Sequence, residues 1–275
     1  MVANEERSPI DGNGTRHVER RGDAPVSSGA RTTAGSDDGA ASLVGEDVVT
    51  GYGQQEVLHG VSVESHDGVT CIFGPNGSGK STLIKALNGM VPVWSGSVHY
   101  GDLDITGYRA NQVVDSGIVT LPQDGGLFRS LTVRENLRMG GYSVADKSRV
   151  EERIEEALEA FPVLREKLPQ RARSLSGGQQ MMLGFARAMV SDSSVFLLDE
   201  PSAGLAPSLV DQVLDQVRTL VDHGAQIVLV EQNVRAALRI AEYVYILAQG
   251  SVQFAGPPEE LSEEDELIEL YLGLE

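Results

Sequence analysis

The deciding stretch of this sequence is Gly74-Pro75-Asn76-Gly77-Ser78-Gly79-Lys80-Ser81-Thr82. It fits G-x-x-x-x-G-K-[S/T], the phosphate-binding loop. The glycines let backbone N–H groups turn toward phosphate oxygens, and the helix that begins at the loop's end favours an anion. Lys80 supplies a charge for the outer phosphates, and Ser81 has a hydroxyl that can bind Mg²⁺. We therefore predict that all nine residues contact a nucleotide.

The residues on either side of the loop support this interpretation. The preceding residues, Val69-Thr70-Cys71-Ile72-Phe73, are apolar and partly β-branched, which is typical of a buried parallel strand. The following residues, Thr82-Leu83-Ile84-Lys85-Ala86-Leu87, are predicted to form a helix that ends near Asn88-Gly89. The alternative is a glycine-rich turn with a chance lysine, and the order of strand, loop and helix argues against it.

Composition limits what the rest of the chain can be. With 275 residues, of which 41% are hydrophobic, the chain can bury one large core or two small ones. It has no run of about 18 apolar residues, so we expect no membrane-spanning helix. No apolar segment is found near the N-terminus, so we expect no signal peptide. The single cysteine, Cys71, is expected to be a small buried hydrophobic residue, and these features together favour a reducing, cytoplasmic setting.

The charge balance is strongly acidic, with a formal net charge of −18. Nucleic acid is therefore an unsuitable partner, because binding its phosphates requires a basic surface. The chain contains only four lysines, Lys80, Lys85, Lys147 and Lys167. An acid-rich, lysine-poor composition favours the hypothesis of adaptation to high salt, where charge repulsion is screened. An ordinary acidic surface remains the alternative.

Changes in composition along the chain indicate its domain organisation. Residues 1–42 have few large apolar side chains and are predicted to be a disordered tail without a catalytic role. Residues 43–275 are predicted to be the folded domain, with a mainly helical insert at about 124–187. The insert is predicted to contain a charged helix from Arg149 to Leu168. The domain is predicted to end in an acidic helix from Pro258 to Leu272.

A second candidate anion site lies at the end of the insert. Here Ser176, Gly177, Gly178 and Gln179 precede a predicted helix from Met181 to Met189. A serine and two glycines at a helix start can bind an anion with free backbone N–H groups. The alternative is a simple helix cap with a flexible approach.

Paired carboxylates follow the apolar strand Val195-Phe196-Leu197-Leu198. Asp199 at the strand tip can hold Mg²⁺, as phosphoryl-transfer sites require. Glu200 can orient and deprotonate a water molecule. Such pairs are often only solvated turns, but four preceding apolar residues and a phosphate loop in the same chain favour a chemical role.

Two further side chains are weaker candidates. Gln123 follows a short strand that begins at Ile118, and a glutamine at a strand end can ligate a metal or orient water. Tyr52 lies upstream of the loop, where its ring can stack on a base, although it can equally be an ordinary strand tyrosine.

Four motifs, GPNGSGKST, Gln123, LSGGQ and LLDEP, resemble in order and spacing those of the nucleotide-binding subunit of ABC (ATP-binding cassette) proteins. The resemblance covers residues 44–275, and LSGGQ is its most specific element because it separates this family from other phosphate-loop ATPases. It implies an α/β fold: a phosphate-loop NTPase core of mainly parallel sheet, with an antiparallel β subdomain and a helical insert. It also implies an ATPase that uses ATP and Mg²⁺.

The resemblance also implies roles for individual residues. Tyr52 would stack on adenine, Gln123 would contact metal and water, and Asp199 would hold Mg²⁺. Glu200 would be the catalytic base, with Lys80 on the phosphates. The signature, Ser176 to Gln179, would close on the ATP of a second cassette packed head to tail. Membrane permease subunits and, indirectly, a solute-binding protein would complete the assembly, with this chain peripheral on the cytoplasmic face of the membrane.

The chain departs from the family pattern at two positions. Gln232 stands where the family has a switch histidine, and Leu205 stands where a loop after the catalytic glutamate usually ends in Asp. A neutral amide at 232 can still hydrogen-bond the γ-phosphate but carries no charge. The sequences V-E-Q-N and S-x-G-L-A-P both resemble the ATP-binding subunits of branched-chain amino acid importers. The rivals are an ABC ATPase of an exporter, for lipid or another substrate, a soluble cassette that acts as an assembly or scaffold factor, and a regulatory binder that does not hydrolyse ATP.

Overall fold

The computed structural model describes residues 41–122, 125–144, 146–191, 193–205 and 207–261. Residues 1–40 of the predicted tail lie outside this part, as does Gln123. The predicted C-terminal helix is described only as far as Leu261. None of the helices in the described part combines the length and the apolar character needed to cross a bilayer.

Two sheets organise the described residues. A six-stranded sheet has the order β10-β9-β3-β8-β7-β6, and a four-stranded sheet has the order β2-β1-β4-β5. The strands are β1 (Leu43–Tyr52), β2 (Gln55–Glu64), β3 (Val69–Phe73), β4 (Ser95–Tyr100), β5 (Leu103–Asp104), β6 (Ile118–Leu121), β7 (Val195–Asp199), β8 (Gln226–Val230), β9 (Tyr243–Ala248) and β10 (Ser251–Gly256).

The six-stranded sheet is parallel except at one edge. Strand β3 pairs in parallel with both β8 and β9, and β7 pairs in parallel with β6 and β8, whereas β10 is antiparallel to β9. All five residues of β3 and of β8 are buried, as is expected of central strands covered on both faces. The smaller sheet is antiparallel throughout. The predicted fold class is therefore confirmed.

Helices cover the parallel sheet on both faces. They are α1 (Lys80–Leu87), α2 (Ala110–Asp115), α3 (Val133–Gly140), α4 (Ser148–Ala160), α5 (Gly177–Val190), α6 (Pro207–Asp222), α7 (Val234–Ala237) and α8 (Pro258–Leu261), with 3₁₀ turns at Pro162–Lys167 and Ala172–Ser174. Alternate residues of β3 face two separate cores. Cys71 and Phe73 pack with residues of α5 and α6, whereas Ile72 packs with residues of α1 and β1. Cys71 is fully buried, as predicted, and burial raises the pKa of its thiol.

One predicted helix is shorter than expected. The predicted helix Arg149–Leu168 ends as α4 at Ala160, and a 3₁₀ turn begins at Pro162. Proline has no N–H to donate and disfavours a helical backbone at the residue before it. Phe161 accordingly leaves the helix with φ −126° and ψ 69°.

The insert begins with a firmly capped helix. Thr132 and Glu135 form a capping box at the start of α3, with the Glu135 carboxylate accepting from the Thr132 N–H at 2.7 Å. On the same helix, the fully buried Asn136 accepts from the N–H of Phe128 at 2.9 Å and donates to the carbonyl of Phe128 at 3.0 Å. Asn136 thus fastens the loop that follows β6 to α3.

Candidate active site

The carboxyl ends of the parallel strands meet at one edge of the sheet. The glycine-rich loop follows β3, Asp199 ends β7, and Glu231 and Gln232 follow β8. Residues far apart in the sequence are thereby brought together, at the edge where open α/β sheets place their ligand groups.

The loop fits tightly between two neighbouring elements. Gly74 has φ +146°, and a Cβ there would lie 2.0 Å from the Leu247 carbonyl oxygen at the end of β9. Gly79 has φ +108°, and a Cβ there would lie 2.6 Å from Leu58 Cδ2 on β2. Only glycine satisfies both the backbone angle and the available space at these two positions. The loop is further fixed by the N–H of Gly250, which donates to the Ser78 carbonyl at 3.0 Å.

Lys80, the first residue of α1, directs its ammonium group back toward the loop. Its Nζ donates to the carbonyl oxygens of Gly74 at 2.7 Å and Pro75 at 3.1 Å. Burial lowers the pKa of Lys80, and the nearby carboxylates of Glu200 and Asp199 oppose that shift. The ammonium therefore lies in the bend of the loop, where it is available to an anionic ligand.

Ser81 and Asp199 are in direct contact. The Ser81 hydroxyl donates to Asp199 Oδ1 at 3.1 Å. Burial raises the pKa of Asp199, with a further contribution from Glu200, whereas the Ser81 hydrogen bond and two lysines, Lys85 and Lys80, oppose the shift. A hydroxyl and a carboxylate oxygen side by side are hard ligands of the kind that Mg²⁺ prefers.

Glu200 occupies an unusual backbone conformation beside them. Its φ of +50° lies in the left-handed region, which is rare for residues other than glycine. Its carboxylate accepts a hydrogen bond from Gln232 Nε2 at 2.7 Å, and the same amide group donates to Asn76 Oδ1 of the loop at 3.3 Å. Gln232 therefore links the Glu200 carboxylate to the phosphate loop.

The signature residues lie on a different element. Ser176 caps α5: its hydroxyl accepts from the Gln179 N–H at 3.4 Å, and its own N–H donates to Gln179 Oε1 at 3.2 Å. A Cβ at Gly177 would meet nothing within 4 Å, so this helix start is open on one side. Helix α5 packs against α3, α4 and α6, whereas α1 packs against β1, β2 and β7. Within the described residues, no hydrogen bond joins Ser176–Gln179 to the loop.

Tyr52 lies at the tip of the β1–β2 hairpin. It pairs with Gln55, and 50% of its surface is exposed, so its ring is free to receive a flat partner. Val57, farther along β2, is the other neighbour of Gly79: a Cβ at that glycine would lie 3.7 Å from Val57 Cγ1. The hairpin that carries Tyr52 thus touches the loop, and stacking on a base remains a prediction.

Sequence reasoning missed Glu231. This residue is 2% exposed, and its carboxylate accepts from the Ser202 N–H at 2.9 Å and from the Ser202 hydroxyl at 2.8 Å. The signal was present, because Glu231 directly follows a buried apolar strand just as Asp199 ends one.

An apolar groove opens on the helical side of the molecule. It has a volume of about 270 Å³ and lies where β6, α3 and α5 meet. Phe128, Met139 and Tyr142 in this groove are 45%, 39% and 80% exposed. Large apolar side chains grouped on a surface mark a place for a partner.

Comparison with known proteins gives consistent matches. Residues 58–203 match the family described as ABC transporter. The probable branched-chain amino acid transport ATP-binding protein LivF of Archaeoglobus fulgidus is 40% identical over 226 residues, covering 82% of this chain and 95% of LivF. The lipopolysaccharide export system ATP-binding protein LptB of Escherichia coli is 32% identical over 239 residues, covering 85% of this chain and 98% of LptB. A solved structure, the ADP conformation of MJ1267, an ATP-binding cassette of an ABC transporter, superposes with a TM-score of 0.76 at 28% identity, covering 85% and 99% of the two chains.

Proposed function

Since the chain belongs to the ABC transporter family as an ATP-binding, ATP-hydrolysing cassette, we propose that it powers an importer of branched-chain or related amino acids. The observation that carries the ATPase part of the proposal is the hydrogen-bonded group at the sheet edge. There Ser81 contacts Asp199, and Gln232 contacts both Glu200 and the phosphate loop. The similarity to LivF supports the amino acid assignment.

Catalysis of hydrolysis would depend on positioning the ATP and the attacking water and on stabilising the charge of the phosphates, because the protein forms no covalent bond in this phosphoryl transfer. The loop N–H groups and Lys80 would hold the phosphates, with Tyr52 against the base. Glu200 would orient a water molecule and accept its proton, and Gln232 would hydrogen-bond the γ-phosphate. The left-handed backbone of Glu200 supports this role, since strained conformations concentrate at functional sites.

Mg²⁺ fits the residues that are present. Ser81 and Asp199 would hold it, and Gln123 is a further candidate outside the described residues. Within the described part no three His, Cys, Asp or Glu side chains are arranged to hold a metal ion by themselves, so phosphate oxygens and water would supply the remaining ligands, as is usual for Mg²⁺. When bound, the ion would neutralise charge on the outer phosphates.

A second cassette would complete the site. Ser176 to Gln179 begins a helix that is open on one side at Gly177, and the N–H groups of Gly177 and Gly178 in its first turn suit an anion. It lies apart from the loop of its own chain, so we propose that it closes on the ATP held by a partner cassette. ATP binding would close this dimer and hydrolysis would reopen it.

The apolar groove is the proposed docking place of the permease. A helical segment of a membrane subunit would cover Phe128, Met139 and Tyr142. Asn136 ties the Phe128 loop to α3, so the groove and the loop that follows β6 would respond to the permease together.

The decisive experiment is reconstitution. The chain is co-expressed with candidate branched-chain amino acid permease subunits from its own organism, purified, and placed in vesicles with a candidate solute-binding protein of the same class. We expect ATP-dependent uptake of radiolabelled leucine, isoleucine or valine. ATP hydrolysis without a polytopic partner in the purified complex would instead favour a soluble scaffold factor, and ATP binding without hydrolysis would favour a regulatory binder.

An exporter is the second candidate, and the match to LptB favours it. The same vesicles distinguish the two, because an exporter would extract a lipid or another substrate and leave the amino acids outside. The cassette residues would act identically in both cases, since the permease and binding protein choose the substrate.

Groove variants test the docking proposal. We expect Met139→Asp to reduce co-purification of the permease, because it places a charge in an apolar contact. Val163→Asp is the matched control: Val163 is 47% exposed and lies outside the groove. Equal capture of the permease by both variants would remove the groove from the interface.

Variants of Gln232 test its contact with the γ-phosphate. We expect Gln232→Ala to lower the ATPase rate by about tenfold to a hundredfold, because a hydrogen bond to a charged group contributes about 1.5–3 kcal/mol. Gln232→His should keep most of the rate, since its ring N–H can donate to the same oxygen. Steady-state phosphate release measures both, and an unchanged rate in the alanine variant would make Gln232 structural.

The acidic surface leads to a salt prediction. With a net charge of −18, we propose that the chain is adapted to high salt. The free energy of unfolding is expected to rise as KCl increases from 0.1 M to 1 M, because the screening length falls from about 10 Å to about 3 Å. Denaturant titration at each salt concentration measures this free energy. Equal free energies of unfolding at low and high KCl would mean that the acidic surface is an ordinary one and not an adaptation to salt.

A further inference from the structure

The buried carboxylate of Glu231 binds the segment that follows Glu200, the proposed catalytic base. Glu231 follows β8 and is 2% exposed. Its Oε1 accepts from the Ser202 N–H at 2.9 Å, and its Oε2 accepts from the Ser202 hydroxyl at 2.8 Å and from the Gln232 N–H at 3.2 Å. One side chain therefore holds the backbone of two segments that are distant in sequence.

These two segments flank the contact between Glu200 and Gln232. Ser202 lies two residues after Glu200, and Gln232 is the residue after Glu231. The Glu200 N–H donates to the Val230 carbonyl at 2.9 Å, which adds a third link between the same segments. Gln232 Nε2 then reaches the Glu200 carboxylate at 2.7 Å. The contact between Gln232 and Glu200 thus depends on the position of two backbone segments, which the Glu231 carboxylate holds together.

Burial of the Glu231 carboxylate is unfavourable in itself. Taking a carboxylate out of water is costly unless it is fully hydrogen-bonded. Burial raises the pKa of Glu231, and hydrogen bonds from Ser202, Gln232 and Asn233 oppose the shift. The ion pairs within the described residues do not include Glu231, so hydrogen bonds rather than a counter-charge hold it. A carboxylate that is held by backbone and hydroxyl donors is suited to fixing the positions of those donors.

We propose that Glu231 is a positioning residue for hydrolysis, which keeps the Gln232 amide directed at Glu200 by fixing the backbone of Ser202 and Gln232. The inference rests on the proposed ATPase mechanism. Glu231 itself is buried, and its carboxylate accepts hydrogen bonds from Ser202 and Gln232, so it acts through Gln232.

The first variant is Glu231→Gln, which keeps the shape and presents an NH₂ group to donors. We expect kcat to fall about tenfold, because small misplacements of a catalytic group can cost up to about a hundredfold. ATP affinity, measured by nucleotide fluorescence, should stay within about twofold. Glu242→Gln is the control, since Glu242 also accepts a backbone N–H, that of Val69 at 2.7 Å, but at the opposite end of β3.

The second measurement separates positioning from general stability. In a Gln232→Ala background the amide is gone, so adding Glu231→Gln should lower kcat by less than about twofold further. An independent tenfold loss in the double variant would overturn the proposal, as would an unchanged kcat in the single variant. If Glu231→Gln does not fold, Ser202→Ala carries the test: it removes one hydrogen bond and should lower kcat less, again only when Gln232 is present.

The outcomes also separate this inference from the proposed function. A wild-type chain without ATPase activity, alone or with its permease, would refute the function. Normal wild-type activity with additive effects of Glu231→Gln and Gln232→Ala would refute the positioning role alone.

Discussion

Glu200→Gln is expected to lower ATP turnover by about 10²- to 10⁴-fold while leaving ATP bound, because the substitution removes the proton acceptor and its negative charge but leaves the phosphate loop and Lys80 in place. The amide keeps the size of the carboxylate and retains an oxygen that accepts from Gln232 Nε2, now 2.7 Å from Glu200 Oε2. Phosphate binding by the loop and Lys80 does not involve this proton. Bound ATP would therefore accumulate between two cassettes.

Two measurements check this expectation. Phosphate release under saturating ATP reports turnover, and size-exclusion chromatography with ATP reports the dimer, which should persist in the variant and dissociate in the wild type. Glu155→Gln serves as the control, because Glu155 pairs with Arg165 on the helical insert, and it should hydrolyse normally. Full turnover by Glu200→Gln would remove Glu200 from the base role.

Lys80→Ala is expected to weaken ATP binding by roughly 30-fold to several thousand-fold, because removing one partner of a buried charge pair costs about 2–5 kcal/mol. The Lys80 ammonium is held in the bend of the loop by the Gly74 and Pro75 carbonyls. Without it, one positive charge that compensates both the phosphates and the nearby carboxylates of Glu200 and Asp199 would be lost.

Calorimetric titration of ATP measures this loss directly. Lys167→Ala, on the 3₁₀ turn of the insert, should bind ATP as the wild type does. Thermal unfolding of Lys80→Ala must show a folded chain, since the variant also removes two hydrogen bonds inside the loop. Unchanged affinity in a folded variant would mean that the loop does not hold the outer phosphates.

Much of the fold was predictable because its central strands are short and wholly apolar. The strands around β3, β7 and β8 could be recognised from local pattern, and glycine, lysine and serine at fixed spacing placed a loop and a helix between them. The position of Asp199 beside the loop was predictable for the same reason, since a charge at the tip of an apolar strand must lie at the sheet edge, and its role at the candidate site stays a prediction.

Other features depend on contacts that local pattern does not contain. The apolar stripe continues past Pro162 to Leu164 and predicts a longer helix, whereas the proline ends the helix at Ala160. The link from Glu231 to Ser202 joins residues distant in sequence, and only pairing of β7 with β8 brings them together. The hydrogen bond from the Gly250 N–H to the Ser78 carbonyl of the phosphate loop likewise joins residues that are distant in sequence.

The order of strands in the parallel sheet has a consequence for synthesis on the ribosome. Strand β3 carries the loop, yet its partners β8 and β9 are translated much later. Until then both edges of β3 present unpaired backbone groups, which are templates for aggregation. A nascent chain stalled before Leu247 would also lack Gly250, whose N–H donates to the Ser78 carbonyl, and Leu247, whose carbonyl oxygen lies against Gly74. The phosphate loop is therefore expected to reach its final packing only after β9 and the turn at Gly250 have been made.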